Sequence, residues 1–262
     1  MKVRIASGWS AEGGSTFSLM ELCDLFNERG VDCTFYGPHT WHLDKCSKAD
    51  MLQNIKINPD DVLIFHFMDM PQRPACRKVI LSCHETSIFD VKQHNISGAD
   101  AIRYVSQRQK DWQGVDGKVI PNLVRGITKS KNTEEGIAAV IGTVNPIKGV
   151  HESIQRALDD GCKEVRIYGN VNDNDYFNTK VRPLLSDNVI YMGMEKDRQK
   201  IYDSVSCVYQ STVTSVPESF GRVRAECIRA GIEYRGTESA TNDTLELWEE
   251  DRVFDEFMEM MK

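Results

Sequence analysis

Short apolar runs separated by amphipathic stretches organise most of this chain. Candidate strands are Val3–Ser7, Cys33–Tyr36, Val62–Phe67, Val79–Cys83 and Ile102–Val105, with Lys118–Ile120 as a short sixth. Between the first two, Thr16–Glu28 carries Phe17, Met20, Leu22, Cys23, Leu25 and Phe26 at helical spacing, and Gly30 closes it. Alternation of this kind predicts a parallel sheet covered on both faces. A polar stretch ending in Asn132–Gly136 predicts a linker between two domains, 1–130 and 131–262. A second series follows: strands Ile137–Ile141, Val165–Tyr168, Val189–Tyr191, Cys207–Gln210 and Ile232–Tyr234, with helices His151–Asp159, Tyr176–Leu185, Arg198–Asp203 and Phe220–Arg229. Beyond Gly236 the polar run Thr237–Asp243 breaks the pattern, and Thr244–Met261 predicts a helix that closes the second domain. Two α/β domains imply a cleft, and ligands of such sheets bind beyond the carboxyl ends of the strands.

Composition narrows the class. A chain of 262 residues is long enough for two cores, and 27% charged with 40% hydrophobic residues is the balance of a soluble fold. No apolar run approaches the roughly 20 residues that span a bilayer. The start, MKVRIASGWS, reads as a strand and not as a cleavable apolar segment, so a cytoplasmic setting is expected. Of eight cysteines, Cys23, Cys33, Cys83, Cys207 and Cys227 sit within apolar periodic segments, as reduced core residues do. A net charge of −7 opposes broad coating of nucleic acid.

Chemistry concentrates where strands end. Glu218 and Glu226 flank the start of the helix after Cys207–Gln210, with Pro217 before them, Gly221 between them and Gly231 as the stop. If Glu218 lies in the loop leading to the helix, both carboxylates can line one side of a cleft and accept hydrogen bonds from sugar or ribose hydroxyls. Ile228 is expected to pack inward with Ala225 and Cys227. Lys148 follows the strand ending at Gly142, where an ammonium suits a phosphate. Gly13–Gly14 open the first helix, and Gly169 and Gly193 end strands; each reads as a close-approach glycine or as an ordinary turn. The first loop lacks both the dinucleotide fingerprint and a phosphate-binding Gly-Lys-Ser/Thr ending. His84, before Glu85, follows its strand and is expected to face a ligand, whereas His66 reads as structural. His39, His42 and Cys46 have no C-x2-C partner, so no metal is expected.

Taken in order, EGGSTFSLMELCDLFNERG, LSCHET, VIPNLV, IGTVNPIKG, RIYGN, VIYMG and PESFGRVRAECIRAG resemble the GT-B fold glycosyltransferases, and within them the retaining family 4 with its E-x7-E motif. The resemblance implies two Rossmann-like α/β/α domains with parallel sheets facing a cleft, an N-terminal acceptor side and a C-terminal donor side. It implies transfer of a hexose or pentose from a UDP- or GDP-linked donor, with retention and without a metal or other cofactor. By that resemblance the catalytic set is Glu218, His84 and Lys148. The donor-binding set is Gly13, Gly14, Thr143, Lys148, Gly169, Gly193, Phe220, Gly221 and Glu226, with Glu226 on the ribose and Lys148 on the diphosphate. Two departures stand out. Thr143 occupies the position of an expected arginine, for which Arg222 or Arg224 could compensate, and the second domain looks trimmed after GIEYRG, as a viral gene product could be.

The acceptor is open: a saccharide, a lipid-linked glycan, a small metabolite or, for a viral chain in a host cytoplasm, a modified DNA base. Arg103, Arg108, Lys110, Lys118 and Arg125 could form a basic stripe for DNA or simply a solvated face. A second reading is a degenerate nucleotide- or sugar-binding protein of the same fold without turnover. A third, an NAD-dependent or epimerase-type enzyme, is disfavoured by the missing glycine.

Overall fold

A computed structural model describes residues 1–9, 13–84, 94–131 and 133–262. Ser10, Ala11 and Glu12 of the first loop, Glu85 after His84, and Asn132 of the expected linker lie outside the described residues. The chain divides into two compact units, residues 1–123 with 244–262, and residues 124–243.

The first unit is built from β1 (Val3–Ser7), α1 (Gly14–Glu28), β2 (Cys33–Gly37), β3 (Ala49–Met51), β4 (Val62–His66), β5 (Lys78–Cys83), β6 (Ala101–Tyr104), α2 (Gln107–Gln113) and β7 (Lys118–Val119). Its strands form one parallel sheet in the order β3-β2-β1-β4-β5-β6-β7. Period-two alternation sends Val3, Ile5, Val62 and Ile64 to one core and Ala6, Leu63 and Phe65 to the other. β3 was not expected, because three half-buried residues carry no readable apolar period.

The second unit runs through β8 (Ile137–Ile141), α3 (Val150–Asp159), β9 (Glu164–Tyr168), α4 (Asn174–Tyr176, continuing as a wide turn to Val181 and a tight one to Leu184), β10 (Val189–Gly193), α5 (Arg198–Asp203), β11 (Cys207–Gln210), α6 (Arg222–Ala230) and β12 (Glu233–Gly236). These strands form a parallel sheet ordered β10-β9-β8-β11-β12. Val150, Ile154 and Tyr176 pack on one face, and Ile201, Tyr202 and Cys227 on the other. Ile228 departs from the expectation. It is exposed, because it lies two helical steps from the buried Glu226 and so on the opposite side of α6.

The last helix, α7 (Glu250–Met260), groups with the first unit and not with the second half of the chain, as a boundary at 130/131 supposed. Val253, Phe257 and Met260 join the core of Leu25 and Phe26, where Phe257 meets Phe26 edge-on at 5.9 Å, and Arg29 pairs with Asp251. Each such buried side chain is worth about 1.5–3 kcal/mol. The helix is also shorter than Thr244–Met261, since residues 244–249 are not helical and the acidic Glu250 and Asp251 begin it.

Candidate functional site

Both sheets reverse their winding once, between β1 and β4 and between β8 and β11. In open α/β sheets, ligands bind beyond the carboxyl ends of the strands at that point.

In the second unit this region is densely polar. The turn Pro146–Lys148 follows β8, with Asn145 Oδ1 accepting from the Lys148 N–H at 3.0 Å and Gly149 in the left-handed region at φ +52°. Lys148 forms an ion pair with Glu218, which lies in the loop after β11 as expected. The same carboxylate oxygen accepts from Gln210 Nε2 at 3.2 Å and Thr212 Oγ1 at 3.4 Å. The Tyr234 hydroxyl donates to Gln210 Oε1 at 3.0 Å, which orients that amide toward Glu218. Burial and the nearby Glu218 charge push the Tyr234 hydroxyl's pKa well up.

Glu226 sits in a separate network. Arg198 and Arg222 donate to its Oε1, Arg222 at 2.9 Å, and the Tyr202 hydroxyl donates to Oε2 at 2.7 Å. Burial, reinforced by the Glu226 charge, holds Tyr202 well above an ordinary tyrosine pKa. Gly221, at φ +78°, carries the chain from the Glu218 loop into α6, so the angular count of a continuous helix does not connect the two glutamates.

The polar run Thr237–Asp243 does more than interrupt the pattern. Ser239 O accepts from the Glu218 N–H at 2.9 Å, and the fully buried Asn242 donates to Ser219 O at 2.6 Å. Arg224 is held on the Asn242 carbonyl and Arg222 on Glu226, so both arginines that could stand in for the residue at Thr143 have partners. Thr143 itself lies half-buried two residues beyond β8, and Phe220 is buried in the loop.

The three strand-end glycines form a row. Gly169 N–H donates to Gly193 O at 2.9 Å, and a Cβ on Gly169 would lie 1.9 Å from Gly142 O. At φ +150°, Gly169 has both a backbone and a contact that admit only glycine. Gly13 differs: it caps α1 with extended backbone, and a Cβ there would meet nothing within 4 Å. Gly14 is the first residue of α1, its carbonyl accepting from Ser18 Oγ at 2.7 Å.

In the first unit a buried polar row crosses the strand ends. Ser7 Oγ is 2.9 Å from His66 Nδ1, and the His66 and His84 rings meet edge-on at 5.0 Å. His84 Nε2 lies 3.0 Å from both Ser82 Oγ and Arg103 Nη1. Arg103 is therefore buried and belongs to no solvent-facing basic stripe. Lys110 and Lys118 of that stripe pair with Asp116 and Glu256. Cys46 is buried against the carbonyls of Met20 and Lys48, and no described cluster of His, Cys, Asp or Glu suits a metal.

Sequence reading missed Arg198, Tyr202, Gln210 and Asn242 as parts of these networks. Gln210 ending a buried strand, and Arg103 inside one, were the available signals, because an uncovered polar group there is costly.

No known protein family matches the sequence, and neither does any curated protein. Solved structures do match. HepE from Anabaena, in complex with UDP and glucose, superposes with a TM-score of 0.66 at 14% identity, over 91% of this chain and 81% of that one. AviGT4, a glycosyltransferase involved in avilamycin A biosynthesis, gives 0.67 at 17% identity, over 96% and 86%. WaaG, a glycosyltransferase involved in lipopolysaccharide biosynthesis, gives 0.64 at 11%, over 99% and 90%. The chain has their fold, the GT-B architecture of two Rossmann-like units, as expected. Among the described residues no helix is long and apolar enough to cross a membrane.

Proposed function

We propose that this protein is a glycosyltransferase that moves a sugar from a nucleoside diphosphate sugar to an acceptor hydroxyl, with retention at the anomeric carbon. The observation that carries the reading is the Lys148–Glu218–Gln210 cluster at the winding reversal of the second sheet, in a fold shared with HepE, solved with UDP and UDP-glucose, and with the glycosyltransferases AviGT4 and WaaG. Lys148 supplies the point charge for the departing diphosphate, a stabilisation that acts where charge develops. Glu218 accepts from hydroxyls of the donor sugar, so a bound donor shares Lys148 with it. A carboxylate has about four lone-pair sites. Arg198, Arg222 and Tyr202 donate to Glu226, and a ribose hydroxyl would join that network. The row Gly142, Gly169 and Gly193, with the backbone of Thr143, Phe220 and Gly221, offers amides and carbonyls to a UDP- or GDP-linked donor. The first unit takes the acceptor side, with Gly13, Gly14 and His84. Eight free cysteines suit a reducing cytoplasm.

A second reading is donor binding without turnover. It is favoured by Thr143 together with the engagement of Arg222 and Arg224. A panel of UDP- and GDP-sugars, read by thermal stabilisation and by nucleoside diphosphate release, separates the two. One donor that stabilises and slowly releases its diphosphate supports transfer, and stabilisation without release supports the binding protein. If no sugar nucleotide binds, both fail. With an acceptor in hand, Glu218→Gln and Lys148→Met should each lower kcat at least tenfold.

A further inference from the structure

Glu218 is held asymmetrically. Lys148 Nζ, Gln210 Nε2 at 3.2 Å and Thr212 Oγ1 at 3.4 Å all meet its Oε1, and among the described residues no donor reaches Oε2. Two of those donors are neutral and fixed from behind. Gln210 and Thr212 are 5% and 4% exposed, whereas the Lys148 side chain is 31% exposed. The Thr212 N–H donates to Thr237 Oγ1 at 3.4 Å.

The polarity of the Gln210 amide is fixed by its neighbours. A carboxylate in an ion pair only accepts, so the amide turns Nε2 toward Glu218 and Oε1 toward the Tyr234 hydroxyl at 3.0 Å. Burial, reinforced by the Glu218 charge, keeps the proton on that hydroxyl. The same hydroxyl lies 3.0 Å from Ala240 O, next to the Ser239 carbonyl that accepts from the Glu218 N–H. One phenol therefore braces both the side chain and the backbone of Glu218. Lys148 is the mobile member of the group, a point charge on a flexible stem.

We infer that Gln210, oriented by Tyr234, and Thr212 are positioning residues that keep Glu218 in place when an anionic ligand draws Lys148 away. Oε2 is then the oxygen left for the ligand, and because it only accepts, it selects a hydroxyl over an ether or a carbonyl at that point. That the hydroxyl belongs to the sugar of a nucleoside diphosphate sugar rests on the glycosyl-transfer reading, whereas the bracing of Glu218 without Lys148 does not.

One test uses no ligand. In proton–nitrogen spectra of the full chain at pH 7, the Gln210 side-chain amide is assigned by the pair of signals lost in Gln210→Met. A charge-assisted bond to a carboxylate should displace one proton of the pair downfield. Lys148→Met, which removes the ammonium as a ligand would, should leave that displacement, and Glu218→Gln should shrink it. A displacement that shrinks as much in Lys148→Met overturns the inference. A second test measures binding by calorimetry, with UDP-glucose against UDP and GDP-mannose against GDP. Gln210→Met leaves the Tyr234 hydroxyl its Ala240 acceptor, so no donor is orphaned there. It should weaken the sugar nucleotide about fivefold to tenfold, one hydrogen bond's worth, and the nucleoside diphosphate by less than about twofold. Thr212→Val should act the same way, and Thr212→Ser should restore parental binding. Equal losses for sugar nucleotide and nucleoside diphosphate would reduce both side chains to structural supports and overturn the positioning role. If no sugar nucleotide binds the parent, the transfer reading fails, and the amide spectrum alone decides whether Glu218 is braced without Lys148.

Discussion

Glu226→Gln separates an anchoring carboxylate from a ligand-binding one. Glu226 is 4% exposed and faces two guanidinium groups, Arg222 with a side chain 13% exposed and Arg198 with one 31% exposed. Removing one member of a buried ion pair costs about 3–5 kcal/mol, because the remaining charge is left without compensation. Arg198 regains water readily, and glutamine keeps an oxygen for the Tyr202 hydroxyl, so the lower end, about 3 kcal/mol, is expected. At about 2–4 °C per kcal/mol for a chain of this size, the melting temperature should fall by about 6–12 °C. Urea unfolding without nucleotide gives the free energy directly. Adding Arg222→Ala to Glu226→Gln should cost less than the sum of the two single changes, because both remove the same contact. A Glu226→Gln protein within about 0.5 kcal/mol of the parent, the ordinary range of a surface change, would refute the anchoring argument. If it also lost donor binding, the carboxylate would be a ligand group alone.

Three further outcomes follow from the same contacts. Asn242→Ala leaves Ser219 O without its buried donor and should destabilise by about 1–3 kcal/mol in urea unfolding; because the Glu218 loop loosens, donor binding should weaken alongside. Gly169→Ala combines a positive φ with a clash against Gly142 O and should cost about 2–5 kcal/mol. Gly142→Ala, whose Cβ would meet nothing within 4 Å, carries only the backbone strain of about 1–3 kcal/mol, and equal melting points for the two variants would contradict this reading. The hydrogen bond from Arg73 holds the Asp100 carboxyl below its ordinary value. A depressed folded pKa contributes stability above the unfolded value, near 3.9, and that contribution is lost as pH falls through the folded one. Asp100→Asn should therefore flatten the acid limb of a stability profile below about pH 4 and lower the plateau at pH 7.

The strands were the most legible part. Ile137–Ile141 and Cys207–Gln210 are read from their apolar runs alone, because a strand buried on both faces needs nearly every residue apolar. Lys148 and Glu218 were found as strand-end residues, although their pairing was not. Arg103 was misplaced on a surface stripe, since a lone arginine among other basic residues looks alike whether it is solvated or buried. The run Thr237–Asp243 was read as a break, because its buried bonds go to Ser219, Glu218 and Arg224, which local periodicity does not register.

The sequence by itself determined two series of parallel strands, the helices between them, and the polar residues and glycines that stand at the strand ends. These depend on short-range backbone preference and on which residues must leave water. Tertiary structure decided the strand orders, the return of α7 to the first unit, and the partners of each charge. His84 and Arg103 are 19 residues apart and Glu226 and Arg198 are 28 apart, and they meet only because β5 and β6, or α5 and α6, are neighbours in space. Which donor faces which acceptor is a property of that adjacency, and no spacing along the chain encodes it.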